Sequence, residues 1–554
     1  MKRGGRVTQA LESLRLIHGN REVRLLVTTQ ACIETAAWAF GIAFSIHAYE
    51  VGGAALVGLA VASRLAGAAA AAPFAGLLAD RFGGRRLLSA AGVLAAVVLA
   101  LTAAVVALDL PAAFAVFLSA LFGVCLVAFR PARSVLLPPL TRSADELTAA
   151  NVLSGSFQSI ALFAGPAAGG ILYAASGPEV VFTATAVVFA ASAALSARLP
   201  AARAAERRRP QRAADVARGL RGGLTTLLAE SRLRVLATLF TAQTLVLGAL
   251  NVLLVVVAFE ILDAGPATVG LLVAAIGAGA ATASLFTSAL VGRRLTPVLA
   301  GAVCVWGAAL ALTSASGSAV VWIPLLALAG AASTLVDVST YTLLQRAIDD
   351  GVRARVTAAF ETMVLASLAA GGILAPVLLQ FVSDHDALIA AGCFLPVVVL
   401  VLWQQLRQID AATVWPAHET GLLAAIDIFS ALPRATIEHL AAELSRVTVP
   451  AGREIITQGA PGRRFYVLDD GEVDVFVDDR LVRTLGAGSY FGEISLLRNQ
   501  ARTATVRARS EIELLALEPA EFIAAVTGHA SAAEAAEAVI GERLSHARPQ
   551  VASF

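Results

Sequence analysis

The residues most able to do chemistry in this chain are Phe491-Gly492-Glu493-Ile494-Ser495-Leu496-Leu497 and, four residues on, Arg502-Thr503-Ala504-Thr505-Val506. These types hold an anion and break no bond. Gly492 admits a close backbone approach, a short helix following it would present free amides, and Arg502 supplies a guanidinium with charge-assisted donors. A second group consists of ionisable side chains inside long apolar runs: Glu34, Arg64, Arg130 and Asp337. Charge in such a run is costly, which makes each a candidate for transport or proton coupling. Glu34 is read as a proton-coupling or substrate group, against a structural pair with an arginine; Asp337 and Arg64 stand nearer the structural pair. Gln30, Gln158, Gln243, Asn251 and Tyr341 could line a cavity or join helices. Cys32, Cys125, Cys304 and Cys393 lie in apolar runs without metal spacing, and no Ser/His/Asp set or Walker loop is present. The expectation is no enzyme, no metal site, no cofactor and no nucleic-acid partner.

The elements that must position these residues are set by composition. Of 554 residues 58% are apolar and 15% charged, against about 25% charged in soluble domains. A multi-pass membrane chain follows. At about 20 apolar residues per crossing, spans fall near 23–48, 54–79, 86–107, 111–130, 150–174 and 179–198, then 234–260, 267–290, 295–315, 319–345, 357–382 and 387–406. Arginines sit in alternate loops: Arg81, Arg85 and Arg86; Arg133 and Arg142; Arg198 to Arg234; Arg293 and Arg294; Arg346, Arg353 and Arg355. The other loops carry Glu50, Asp109, Glu179, Glu260, Asp263, Asp384 and Asp386 without Lys or Arg. Twelve spans with both termini cytoplasmic satisfy this alternation.

The basic stretch 199–233, with Arg207, Arg208, Arg209, Pro210 and Arg212, divides the spans six and six. Val57-Gly58-Leu59 recurs as Val269-Gly270-Leu271, Gly84-Arg85-Arg86 as Gly292-Arg293-Arg294, and Thr148-Ala149-Ala150 as Thr357-Ala358-Ala359. Two parallel six-helix repeats are expected, with Arg130 and Asp337 in corresponding places. From 418 the chain turns acidic, with short alternating strands between Gly turns. An amphipathic segment over 421–446, strands at 465–468, 473–477 and 504–506, and a closing helix from Ala530 to His546 are expected. The layout is thus an N-terminal segment (1–22), helix bundles (23–198 and 234–406) around the basic loop, a linker (407–417), a β-roll domain with flanking helices (418–546) and a tail (547–554).

Gly76-x-x-x-Asp80-Arg81-x-Gly83-Gly84-Arg85-Arg86 resembles the GxxxDRxGRR signature of the major facilitator superfamily, departing by the extra Gly84. The resemblance implies a cytoplasmic gate held shut in the outward-facing state, with Asp80 facing a helix N-terminus or an arginine. Phe129-Arg130-Pro131-Ala132-Arg133, Leu137-Pro138-Pro139-Leu140, Leu147-Thr148-Ala149-Ala150-Asn151 and Gly165-Pro166-Ala167-Ala168-Gly169-Gly170 are similar to the branch of enterobactin-exporter-like and macrolide-efflux-like transporters. Gly165, Pro166, Gly169 and Gly170 look like that branch's antiporter motif, which implies proton-coupled export. Over 418–546 the sequence resembles cyclic-nucleotide-binding domains. There the resemblance implies that Gly492, Ile494 and Ser495 present amides to the exocyclic phosphate, Arg502 neutralises it, Glu493 accepts the ribose 2′ hydroxyl and the Ala504 amide reaches the ligand. Thr503 is compatible with cGMP, although such domains also bind cAMP, which is favoured. Val539, Ile540 and Leu544 would cap the base or only pack.

The expected whole is a plasma-membrane transporter of a small molecule whose cytoplasmic tail binds a cyclic nucleotide and lies against the gate. Two alternatives stay open: a non-transporting membrane sensor, and a constitutive efflux pump with a structural tail.

Overall fold

The computed structural model describes residues 19–200, 213–287, 295–348 and 352–412, and of the tail 417–541 apart from 431, 433, 463, 499, 528–531, 533–534 and 540. Lys2, Arg3, Arg6, Arg15, the Arg207–Arg212 run, Gly292-Arg293-Arg294, Ile540 and Leu544 lie outside the described residues. The chain divides into two compact units, Met1–Ala411 and Ala412–Phe554.

Among the described residues of the first unit, eleven helices are long and apolar enough to cross a membrane. The first, α1 (Arg21–Phe82), has 62 residues. At 1.5 Å per residue that is about 93 Å, some three times a hydrocarbon core of ~30 Å. Non-helical geometry at Gly52 and at Gly53 (φ 62°) breaks it in the middle. Asn20 caps its start, accepting from the Glu22 and Val23 amides at 3.2 Å. The same side chain donates to the Leu140 carbonyl at 2.9 Å. There follow α2 (Gly84–Ala107), α3 (Ala112–Val127), α4 (Phe129–Leu140), α5 (Ala144–Ser176) and α6 (Pro178–Ala197). The fourth expected span, ending at 130, runs on through α4 to Leu140, because the chain re-enters a helix immediately after Ala128. Arg130 therefore opens a new helix.

The basic loop expected at 199–233 contains α7 (Ala213–Ala229). Arginine density pointed to a solvated loop. Small and apolar residues at helical spacing decide otherwise: Gly223 and Leu227 are buried while Arg218 and Arg221 are exposed. The second set comprises α8 (Ser231–Val256, ending in a π turn to Ile261), α9 (Gly265–Ser284), α10 (Leu295–Thr313), α11 (Ala319–Ala347), α12 (Arg353–Leu378) and α13 (Asp384–Ala412). A Cβ on Gly223 would lie 2.2 Å from the Arg355 carbonyl, so α7 rests on α12.

Glycines set where helices of the two sets touch. A Cβ on Gly58 would stand 2.4 Å from the Gly372 carbonyl, and one on Gly270 would stand 2.4 Å from the Pro166 carbonyl and 3.0 Å from the Gly170 Cα. The two Val-Gly-Leu triplets thus both contact the other set at an Ala-Ala-Gly-Gly stretch, 167–170 or 369–372, about one helical turn apart in register. The second of these stretches was not singled out from sequence.

The second unit opens with α14 (Ala417–Ala425), α15 (Asp427–Ser430) and α16 (Arg434–Ala442). The amphipathic segment expected to reach 446 ends sooner, since Ser445 already starts a strand. Eight strands follow: β1 (Ser445–Val449), β2 (Glu454–Ile456), β3 (Phe465–Asp470), β4 (Glu472–Val477), β5 (Arg480–Gly486), β6 (Tyr490–Phe491), β7 (Thr505–Ala508) and β8 (Ile512–Leu517). They form two four-stranded antiparallel sheets, β1-β8-β3-β6 and β2-β7-β4-β5. The β4–β5 hairpin turns through Asp478 and Asp479, both at positive φ, where short polar side chains tolerate the left-handed region. Helix α17 (Glu493–Leu497) lies between β6 and β7, and α18 (Pro519–Thr527) follows β8. Phe429, Phe465 and Phe522 make the core that joins helices to sheet, with Phe465 and Phe522 stacked at 4.6 Å. Of the expected closing helix, Ala532, 535–539 and Gly541 are described and helical.

Candidate functional site

The sheets enclose a cavity of about 660 Å³ lined in part by Gly492, Glu493, Ile494, Ser495, Arg502, Thr503 and Ala504. The seven residues singled out from sequence therefore converge. Gly492 precedes α17 at φ 93°, a conformation that an L side chain resists. A Cβ there would also lie 2.7 Å from Arg502 Nη1. Arg502 is only 6% exposed. Its Nη1 donates to the Gly492 carbonyl and to Ser495 Oγ, both at 2.7 Å, and its Nη2 donates to the Arg464 carbonyl at 2.7 Å. All three acceptors are neutral. Burial pulls the guanidinium below its usual pKa, opposed by Tyr466 and Glu493. An anion in the cavity would restore what burial removes.

Backbone pairing holds this arginine in place: its amide donates to the Ala460 carbonyl at 2.8 Å and its carbonyl accepts from the Gly459 amide at 2.9 Å. Gly462, whose Cβ would stand 2.4 Å from Ser495 Oγ, lets the 459–462 turn close over the site. Glu493 is buried at 1% exposure and Thr503 is exposed at the cavity edge. Asp427, Arg483 and Val539 also line the cavity. Arg498 Nη2 donates to Glu537 Oε2 at 2.5 Å and so ties α17 to the closing helix. Sequence reasoning missed the Arg464 carbonyl, Tyr466 and this Arg498–Glu537 pair. Only the fold brings them together.

In the bundle, Glu34 accepts from Gln30 Nε2 at 2.8 Å, and Arg130 and Arg133 are the cations within electrostatic reach of it. Arg133 itself donates to Asn151 Oδ1 at 3.2 Å. Asp337 accepts from Gln243 Nε2 at 3.3 Å, a nitrogen that also reaches Ser333 Oγ at 3.2 Å. Tyr341 donates to Glu361 Oε1 at 2.8 Å, and both Asp337 and Arg130 act on it electrostatically. Arg130 thus stands within reach of Glu34 on one helix set and Tyr341 on the other. Glu361 was not singled out from sequence, although an acid at the fifth position of an expected span was the available signal. Arg64 shares in none of these contacts.

In the gate motif, Gly84 and not Gly76 stands against another helix. A Cβ on Gly76 would meet nothing within 4 Å, whereas one on the extra Gly84 would lie 2.4 Å from the Ala132 carbonyl. Here the inserted glycine makes the close approach, because α2 starts against α4. Asp80 is exposed and pairs with no arginine among the described residues. Gly83 turns the chain at φ 79°, Arg81 lies 5.5 Å from the Phe82 ring centroid, and Arg85 Nη1 donates to the Leu199 carbonyl at 3.3 Å. Arg86 lies beside Arg85 in a shallow surface groove. In α5, Gly165 and Gly169 pack on the α1 backbone, with added Cβ atoms 2.7 Å from the Thr35 carbonyl and 2.5 Å from the Ala39 carbonyl. The helix continues through Pro166.

Comparison with known proteins separates the same two units. The family model for the Major Facilitator Superfamily matches residues 26–372, and that for the cyclic nucleotide-binding domain matches residues 446–529. A cyclic nucleotide-gated potassium channel of Mesorhizobium japonicum is 32% identical over 131 residues, 24% of this chain and 35% of that one. A cAMP-dependent protein kinase regulatory subunit of Eremothecium gossypii is 44% identical over 79 residues, 14% of this chain and 17% of its own. An uncharacterized protein of Mycobacterium tuberculosis is 38% identical over 102 residues, 18% and 20% of the two chains. The chain spans about a third or less of the length of these relatives. Its first family match covers more than half its residues and coincides with the apolar helices, so the chain is a multi-pass membrane protein that belongs to the Major Facilitator Superfamily and carries a C-terminal cyclic nucleotide-binding domain.

Proposed function

We propose that this chain is a secondary active transporter, a proton-coupled exporter of a small organic molecule, whose alternating access is biased by cAMP bound to its tail. The observation that carries the regulatory half is Arg502: a buried guanidinium, held by neutral acceptors at the mouth of a cavity, in the same chain as a facilitator bundle. Glu493 would take the ribose 2′ hydroxyl and the amides at the start of α17 the phosphate. The 44% identity to a cAMP-dependent kinase subunit supports cAMP over cGMP. Val539 would close over the base.

On this reading the 62-residue first helix makes two crossings, which brings the spans to twelve in two six-helix repeats with both ends in the cytoplasm. The close seats of Gly58 and Gly270, each on the other helix set, support those repeats. Glu34, within reach of Arg130, would carry the proton, with Arg130 and Asp337 as its counterparts in the cycle. Export follows the likeness of residues 129–170 to exporter branches. No bond is made or broken, and the membrane is the plasma membrane. A nucleotide shifts the cycle only through a difference in its affinity for the two gate states.

The test is vesicle transport of a dye panel under an imposed pH gradient, with and without cAMP. Proton-dependent movement that changes with cAMP in the wild type, and stays at the unliganded level in Arg502→Ala, is expected. Nucleotide binding without any movement would leave a membrane sensor, and identical cAMP response in both proteins would leave a constitutive pump.

A further inference from the structure

Arg64 is an ionisable side chain of the bundle for which the described residues offer no hydrogen-bond partner and no counter-charge. Glu34, Asp337 and Glu361 each have a side-chain hydrogen-bond partner. Among the described residues no acceptor bonds Arg64 and no carboxylate acts on it, although it lies deep in the bundle. Its depth follows from the chain: eleven residues separate it from the Gly53 break, which at 1.5 Å each is about 16 Å, near the middle of a ~30 Å hydrocarbon layer.

Room has been made for it. The guanidinium lies over Gly41 of α1, where a Cβ would stand 2.6 Å from Nη1, while Gly123 of α3 lets that helix close on the Arg64 backbone, its Cβ position 2.0 Å from the Arg64 carbonyl. A side chain at Gly41 would displace the guanidinium. Phe40 and Phe122, the sequence neighbours of those glycines, pack edge to face at 4.8 Å and are fully buried. Arg64 keeps part of its surface open. A structural arginine in an apolar wall would be paired, since an isolated buried cation is costly to stability.

We propose that Arg64 is the recognition point for the cargo's negative charge, so that the bundle carries organic anions bearing a carboxylate, sulfonate or phosphate ester. This inference rests on reading the bundle as a transporter. The planar fork of a guanidinium binds such groups with two parallel hydrogen bonds. A lipid headgroup is too far away, because Arg64 sits about half a bilayer from either interface.

The experiment is thermal unfolding of the full chain in detergent, comparing wild type, Arg64→Gln and Arg64→Lys. Probes are benzoate, naphthalene sulfonate and phenyl phosphate, with benzamide as the neutral match, and chloride and phosphatidylglycerol as the other anion sources. Removing an unpaired charge is expected to raise the unliganded midpoint of Arg64→Gln by about 2–4 °C. At least one organic anion is expected to stabilise the wild type, with an apparent affinity at least tenfold weaker in Arg64→Gln and intermediate in Arg64→Lys. The cAMP shift should be the same in all three, which establishes that the variants fold. The proposal is overturned if Arg64→Gln melts at or below the wild type, if none of the organic anions stabilises it, or if benzamide, chloride or the lipid does as well. Proton-driven transport of a cationic dye that persists in Arg64→Gln would then leave the transporter reading intact while removing this role.

Discussion

Arg502 meets its three neutral acceptors at 2.7 Å, so an incoming phosphate adds charge-assisted bonds to a guanidinium already aimed by the Gly459–Ala460 backbone. Each such bond contributes about 1.5–3 kcal/mol. Arg502→Ala should therefore weaken cAMP about a hundredfold or more in a calorimetric titration, with Arg502→Lys between. A variant that bound within threefold of wild type would remove the role given to this arginine. Gly492→Ala should act by geometry: its φ of 93° costs an alanine about 1–2 kcal/mol, and the new Cβ pushes Arg502 Nη1. Its expected result is a tail that melts several degrees lower and binds cAMP at least tenfold more weakly. The glycine, the acid and the arginine were legible as residue types at fixed spacing. The Arg464 carbonyl was not, since any residue supplies a carbonyl and only the fold decides which one arrives.

At the scale of elements, two contacts carry testable consequences. Gly270 of α9 seats on the α5 backbone at Pro166 and Gly170, and Gly58 of α1 seats on Gly372 of α12. Neither position has room for a side chain, so Gly270→Val should force the pair apart and slow any transport at least tenfold while leaving the cAMP shift unchanged. Unimpaired transport in that variant would show that the close seat has no part in the cycle. In the tail, Arg446 joins α14 to the sheets, through Glu419 at 2.7 Å, Asp469 at 3.6 Å and Glu513 at 3.4 Å. His418 reaches Asp469 beside it. Burial opposes ionisation of Glu419, but the Arg446 guanidinium outweighs it and holds the carboxyl below its usual range. A depressed folded pKa contributes stability above the unfolded value of about 4.3 and loses it as pH falls through the folded one. Protection of the α14 amides from exchange, corrected for intrinsic rates, should fall below about pH 4. In Arg446→Met that step should vanish. Helix positions were largely legible, because apolar length alone sets them. Helix α7 was not, because ten arginines and neighbouring polar residues across 198–234 mask a small-residue face that matters only once α12 is beside it.

For the whole molecule, the family and its two-part organisation were visible in the sequence: apolar runs and arginine alternation marked the bundle, and the Gly-punctuated strands marked the tail. The pairings between helix sets were less so, since Glu361 meets Tyr341, and Arg130 reaches both Glu34 and Tyr341, only through packing. If Glu34 carries the proton, Glu34→Gln should leave the cAMP thermal shift intact and abolish the pH-gradient dependence of transport in vesicles. Retained dependence would pass the role to Asp337 or Glu361. The most direct measurement of the central claim is isothermal calorimetry of cAMP into the purified full-length protein and its Arg502→Ala variant. The account predicts saturable binding, one nucleotide per chain, in the wild type and binding about a hundredfold weaker or more in the variant. Absence of heat in the wild type at millimolar cAMP, or equal heat in the two proteins, would contradict it.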